Sequence, residues 1–258
     1  MIPEPTPRER RSIRTAIVVI PTYNERETLG ELVETLLALP LDVALSVLIV
    51  DDNSPDGTGD VADALAAHDP DHVHVLHRQT KAGLGRAYIA GFDAALRSQP
   101  DCVVEMDADG SHDPRELAHL LRAADDADLI VGSRYTAGGG ITNWNLPRRL
   151  ISRYGNWYAR TVLGVRLADL TTGYKCFRRE VLEHIAYARA QSIGYNFQIE
   201  LTYRAIKDGF TVREVPIQFA ERQVGKSKFR MGIILESFFR VLALRMEYAG
   251  RGTRTRGR

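Results

Sequence analysis

Cysteine is scarce. Only Cys102 and Cys176 occur in 258 residues, far apart, with no CxxC and no adjacent histidine pair. A disulfide scaffold and a structural zinc site are thereby excluded, and a reducing compartment fits better. No uncharged apolar stretch reaches the ~18 residues a spanning helix requires. The amino-terminal MIPEPTPRERRSIRT carries proline and charge but no apolar run, so it predicts no secretory signal. Excess charge of one sign is missing too: 34 Lys+Arg face 33 Asp+Glu, a net +1. That balance argues against a nucleic-acid binder. The distribution is uneven, however. Residues 1–14 hold four Arg and two Glu, and residues 245–258 hold five Arg and one Glu, leaving an acidic body with basic ends. A basic end can sit against anionic lipid headgroups.

What is present is a length ample for one large domain with a buried core, and 44% hydrophobic residues. Short β-branched runs at 15–20, 46–50, 72–76, 102–106, 128–133 and 211–219 predict strands. Helical periodicity marks 25–39 (with Asn24 available as a cap), 59–67, 84–97, 114–124, 148–163, 178–186 and 196–208. Apolar strands alternating with amphipathic helices predict an α/β fold, a mostly parallel sheet with helices on both faces. Such sheets bind ligands at their carboxyl edge. Residues 138–147, GGGITNWNLP, read as a flexible joint. A last helix over 229–249 places Met231, Leu235, Phe238, Phe239, Leu242 and Met246 on one face, with Glu236, Arg240 and Glu247 opposite. It is either an interfacial helix or a core-packing one. The expected organisation is a polar basic arm (1–14), an α/β domain (15–228), an amphipathic helix (229–250) and a basic tail (251–258).

Asp107-Ala108-Asp109 carries the strongest local chemistry. Two carboxylates two residues apart at a strand end can hold a hard divalent cation such as Mg²⁺ or Mn²⁺, shared with substrate phosphates. An acidic turn capping the next helix is the other reading. Ser111 could supply or orient a further oxygen. The turn at 51–58, DDNSPDGT, can accept hydrogen bonds from a ribose or base edge, or merely cap a helix. After the first strand, Tyr23 can stack on a base while Glu25 takes its N–H donors. Lys81-Ala82-Gly83-Leu84-Gly85 has neither Rossmann nor P-loop spacing and reads as a helix start near the ligand. Arg134, Arg148, Ser152, Arg153, Arg222 and Lys228 then supply groups able to grip phosphate oxygens, though each Arg and Lys is alternatively a solvated surface charge.

Taken together, VVIPTYNERETL (18–29), LIVDDNSPDGT (48–58), KAGLGRAYIAG (81–91), VEMDADGSHDP (104–114), VGSRY (131–135), DLTTGYKCFRREVL (169–182), GYNFQIE (194–200) and VPIQFAERQVGKSKF (215–229) resemble a family 2 glycosyltransferase with a GT-A fold. More narrowly, they are similar to the dolichol- or polyprenol-phosphate mannosyltransferases. The resemblance implies that Pro21, Tyr23, Glu25, Val50 and Asp52 hold the guanosine of GDP-mannose. It implies that Asp107 and Asp109 bind Mg²⁺ or Mn²⁺ and the diphosphate, with Ala108 giving backbone contact. Arg134, Arg222 and Lys228 match donor and phosphate positions, with Asp109 and Arg134 the catalytic pair. Arg148 and Ser152 match positions near the lipid phosphate. Some relatives carry Gln where this chain has Ser111, and some carry C-terminal membrane helices that it lacks. The implied reaction is inverting mannose transfer from GDP-mannose to a polyprenyl monophosphate at the cytoplasmic face of a membrane. Membrane contact would come through the last helix, the basic tail or a membrane-embedded partner subunit. A UDP-glucose donor, a sugar hydroxyl acceptor and a non-catalytic nucleotide-sugar-binding subunit are the alternatives.

Overall fold

The computed structural model describes residues 12–190, 192, 194–220 and 231–249. The chain runs through β1 (Thr15–Thr22), α1 (Arg26–Leu37), β2 (Ala44–Asp51), α2 (Thr58–His68), β3 (Val73–His77) and α3 (Leu84–Ala95). It continues with β4 (Cys102–Glu105), α4 (Leu117–Ala123), β5 (Leu129–Ser133), β6 (Gly140–Ile141), α5 (Leu146–Leu163) and β7 (Lys175–Arg178). Last come α6 (Arg179–His184), α7 (Tyr195–Lys207), β8 (Val212–Pro216), β9 (Gln218–Phe219) and α8 (Met231–Ala249).

Seven strands form one sheet in the order β3-β2-β1-β4-β7-β5-β8, parallel except for β7, which is antiparallel to both neighbours. Period-two alternation divides β1 between two cores. Val18 and Ile20 pack with Leu29, Val33 and Leu36 of α1, while Ile17 and Val19 pack with Tyr88 and Phe92 of α3. Each such fully buried large side chain contributes about 1.5–3 kcal/mol. A Cβ on Gly91 would overlap Val19, so only glycine lets α3 lie this close to β1.

Strand β7 escapes sequence reading because KCFR is four residues long with a charge at each end. Burial between β4 and β5, not alternation, makes it a strand. The glycine-rich joint is also more ordered than its composition implies, since Gly140 and Ile141 pair with Gln218 and Phe219. Helix α5 starts two residues early: the Asn145 side chain accepts the Arg148 N–H at 3.0 Å, with Pro147 in the first turn. Asn24 is not a cap. Its φ is 62°, and Glu25 is the boundary residue of α1.

A third core joins α5, α7 and α8 through Ala159, Leu163, Ile199, Tyr203, Val241, Leu244 and Tyr248. The packed face of α8 is therefore Val241, Leu244 and Tyr248, while Phe239, Leu242 and Met246 of the expected apolar face stay exposed. Arg240, expected on the solvent side, turns inward. The buried carboxylate of Glu200 requires a countercharge, and Arg240 Nη2 reaches it at 3.2 Å.

Candidate active site

Parallel pairing of β1 with β2 sets Pro21 opposite Val50 and Thr22 opposite Asp51, gathering Pro21, Tyr23, Val50 and Asp52 at one carboxyl edge. Asp51 braces the turn: Thr22 Oγ1 donates to its Oδ1 at 3.3 Å, and the Ser54 hydroxyl does so at 2.5 Å. Val50 is fully buried, with its side chain in the core beneath α3, so its main chain is what it offers to this edge. Asp52 is 4% exposed and ion-paired with Arg78. Burial nonetheless holds its carboxyl above the usual range, against the pull of Arg78. Lys81 places its ammonium 3.2 Å from the centroid of the Tyr23 ring. Glu25 is half-buried nearby, its own N–H donating to Thr58 Oγ1 at 3.0 Å. Arg78 was missed in the sequence. It immediately follows β3, which borders β2 in the sheet, and that adjacency is the signal that could have found it.

Beyond the end of β4, Asp107 is half-buried while Ala108 and Asp109 are each 3% exposed. The Tyr88 hydroxyl donates to Asp107 Oδ1 at 3.1 Å, and the Asp107 N–H donates to His112 Nδ1 at 3.2 Å. Burial, then the charges of Asp107 and Glu105, push the Tyr88 phenol far up, keeping it a neutral donor. A Cβ on Gly173 would stand 3.2 Å from Asp107 Oδ2, so glycine leaves that carboxylate its room. Asp109 Oδ1 accepts the Ser111 N–H at 3.0 Å. The Ser111 hydroxyl is buried without a hydrogen-bond partner among the described residues.

Among the described residues no three His, Cys, Asp or Glu side chains converge as a metal cage. Two carboxylates beside an orphaned hydroxyl still suit a hard cation, because Mg²⁺ commonly takes one or two carboxylates and completes its shell with water and substrate phosphate. Beneath lies a second missed group. Glu105 and Lys175, paired across β4 and β7, are both fully buried. Lys175 Nζ donates to the Gln198 carbonyl at 2.7 Å and to its Oε1 at 2.8 Å. Burial raises Glu105 to about 8 and lowers Lys175 to about 8.

The second half of the chain builds a cavity between α5, α7 and α8. Arg134, Arg148, Ser152 and Thr171 line one part, and Ile151, Tyr158, Ile199, Phe238 and Val241 supply apolar walls. Arg134 is not a solvated surface charge. It is 5% exposed and pairs with Asp169, Nε to Oδ2 at 2.7 Å and Nη2 to Oδ1 at 2.8 Å. Arg148 stacks on Trp144, its guanidinium carbon 4.1 Å from the ring centroid, and the Tyr135 hydroxyl donates to Ser152 Oγ at 2.7 Å. The structure thus unites Arg134, Arg148 and Ser152. Arg222 and Lys228 lie outside the described residues.

Residues 17–186 match the glycosyl transferase family 2 model. The chain is 53% identical over 233 residues to a polyprenol monophosphomannose synthase of Mycolicibacterium smegmatis, covering 90% of this chain and 87% of that protein. It is 47% identical to an undecaprenyl-phosphate mannosyltransferase of Micrococcus luteus, covering 93% and 98%. Among solved structures, glucosyl-3-phosphoglycerate synthase from Mycobacterium tuberculosis in complex with Mn²⁺, UDP-glucose and phosphoglyceric acid superposes with a TM-score of 0.64. That match has 20% identity and covers 91% of this chain and 80% of the other. The likeness is one of fold, the GT-A arrangement.

Proposed function

The chain belongs to glycosyl transferase family 2, and from that premise we propose that it transfers mannose from GDP-mannose to a polyprenyl phosphate, with inversion, releasing GDP. The observation that carries this reading is the cavity between α5, α7 and α8. It joins two guanidinium groups and a hydroxyl to aromatic and aliphatic walls, the chemistry of a phosphate on an isoprenoid chain. The 53% identity to a polyprenol monophosphomannose synthase supports mannose transfer to a polyprenyl phosphate.

In this mechanism Pro21, Tyr23, Glu25, the Val50 main chain and Asp52 hold the guanosine. Asp107 and Asp109 would hold Mg²⁺ or Mn²⁺, with the Ser111 hydroxyl available as a further oxygen and the Ala108 backbone available to the diphosphate. When bound there, such an ion would neutralise charge that develops on the leaving diphosphate. Arg222 and Lys228 are assigned the same duty on the donor phosphates. Arg134, which the resemblance puts among the donor-phosphate residues, lines the same cavity as Arg148 and Ser152, and with them it orients the acceptor phosphate toward the anomeric carbon. That phosphate has a second pKa of about 6, so its attacking oxygen is already anionic and no general base is required. Asp109 acts as a ligand rather than as a proton acceptor.

A lipid acceptor calls for a membrane surface. Leu146, Leu150, Tyr154 and Trp157 lie on one face of α5 and are 67%, 58%, 55% and 49% exposed. Arg149, Arg153 and Arg160 flank them, while Phe239 and Met246 of the adjacent α8 are each 71% exposed. Apolar and aromatic side chains beside arginines suit an anionic bilayer interface. No helix among the described residues is long and apolar enough to cross a membrane. Peripheral attachment at the cytoplasmic face, through these helices, the basic tail or a membrane-embedded partner subunit, completes the reading.

Purified protein incubated with radiolabelled GDP-mannose or UDP-glucose, a short polyprenyl phosphate, and Mg²⁺ or EDTA provides the test. Lipid labelled from GDP-mannose and blocked by EDTA is the expected result. Label arriving from UDP-glucose alone would refute the donor assignment.

A further inference from the structure

The loop between α5 and β7 contains a dense polar network. Arg134 gives its Nε–H to Asp169 Oδ2 and both Nη2 hydrogens to Asp169 Oδ1 and Thr171 Oγ1, the last at 2.7 Å. The Arg134 main-chain N–H also donates to Asp169 Oδ2, at 3.1 Å. Thr171 Oγ1 donates to Asp169 Oδ1 at 3.2 Å and accepts from Asn156 Nδ2 at 3.1 Å. Its single proton and two lone pairs are all used. Asn156 is buried in α5. Its other Nδ2 hydrogen goes to the Ser152 carbonyl, and its Oδ1 accepts the Leu170 N–H at 2.8 Å. Glu214 on β8 fixes the loop from behind, accepting the N–H groups of Ala168 and Asp169 at 2.8 and 2.9 Å.

Two consequences follow from this geometry. A guanidinium carries five N–H donors, and three are now committed. Only the Nη1 corner of Arg134 remains for a ligand among the described residues, and Arg134 lines the cavity. Moreover, Thr171 links that guanidinium to Asn156 of α5, one turn from Ser152 and two from Arg148. Partly neutralised by Asp169, Arg134 contributes direction more than bulk positive charge.

We propose that Asp169 is a positioning residue for Arg134, and that the Asp169–Thr171–Asn156 network holds Arg134 in register with Arg148 and Ser152 so that all three address one acceptor phosphate. This rests on the reading above that the cavity takes a polyprenyl phosphate. The network acts through Arg134 and never touches the substrate. A donor corner displaced by about an ångström is enough to cost on the order of a hundredfold in turnover.

Thr171→Val keeps the shape of the side chain and removes the link, so it is the primary variant; Asp169→Asn is the more severe one. Three quantities are measured: steady-state kinetics in the acceptor, GDP affinity by calorimetry, and thermal midpoint. Thr171→Val is expected to raise the acceptor KM about tenfold, the worth of a hydrogen bond to a charged group. GDP affinity should stay within about twofold, while the midpoint should fall by a few degrees at most, because the lost hydroxyl leaves donors of Asn156 and Arg134 unpaired although no core volume is lost. Asp169→Asn should lower kcat/KM about a hundredfold. In a double-mutant cycle, Arg134→Ala/Thr171→Val should be no worse than Arg134→Ala alone. Additive losses, an unchanged acceptor KM, or equal losses in GDP and acceptor would each overturn the assignment. Arginine ¹⁵Nε NMR reads the same contact without turnover. One slowly exchanging Arg134 Nε–H is expected in the wild type, and an unaltered signal in Asp169→Asn would refute the positioning role. Wild-type protein that makes no mannolipid would sink the functional reading instead, leaving that spectroscopic comparison decisive for Asp169.

Discussion

Tyr88 donates its phenolic hydrogen to Asp107 Oδ1 at 3.1 Å from a fully buried position on α3, its ring stacked 6.2 Å from that of Phe197. One carboxylate of the aspartate turn is therefore oriented from inside the protein, by a helix on the opposite side of the strand end. Tyr88→Phe keeps the ring stack and removes only the hydroxyl. Mn²⁺ binding followed by electron paramagnetic resonance in the presence of GDP should weaken about tenfold, the usual worth of a hydrogen bond to a charged acceptor. Unchanged Mn²⁺ affinity would remove Tyr88 from any role at this site.

Arg78 keeps Asp52 paired at the nucleoside edge. Removing it leaves a buried carboxyl already held above its ordinary range by burial, and so more readily protonated. Arg78→Met should weaken GDP binding by about ten- to a hundredfold in calorimetry while affecting acceptor affinity little. If GDP binds the variant as it binds wild type, Asp52 does not contact the nucleoside.

Leu150 and Trp157 project from α5 away from the cavity walls. Their replacement by aspartate should abolish co-flotation with vesicles rich in anionic lipid. Turnover of a short, water-soluble polyprenyl phosphate should survive, because neither residue lines the cavity. Flotation equal to wild type would transfer membrane attachment to the tail or to a partner.

Glu200 underlies the packing of α7 against α8. Burial by itself would raise its pKa, but hydrogen bonds from Ser192 and Arg204, the Arg204 charge and the Arg240 contact outweigh it and bring the group below its ordinary 4.5. A depressed carboxyl adds stability above its unfolded pKa and loses it as pH falls through the folded one. Glu200→Gln should lower the melting temperature at neutral pH by about 10 °C, the scale of breaking a buried pair in a domain this large. As pH falls below 4.5 toward the depressed folded value, the wild type should converge toward the variant. Parallel curves at all pH values would show that the carboxylate charge is not what stabilises this contact.

Sequence alone carried much of this protein. Runs such as TAIVVI and SVLIV are too apolar to lie anywhere but inside a covered sheet, and the helices between them declare their buried faces by spacing. The aspartate turn was legible because its two carboxylates are neighbours in the chain. Tertiary structure decided what depends on distant residues meeting. Arg78 reaches Asp52, Tyr88 reaches Asp107, Asp169 reaches Arg134 and Arg240 reaches Glu200 across 26, 19, 35 and 40 residues. The physical reason is that apolar burial follows a local period, whereas a buried charge must find its partner wherever the fold brings one.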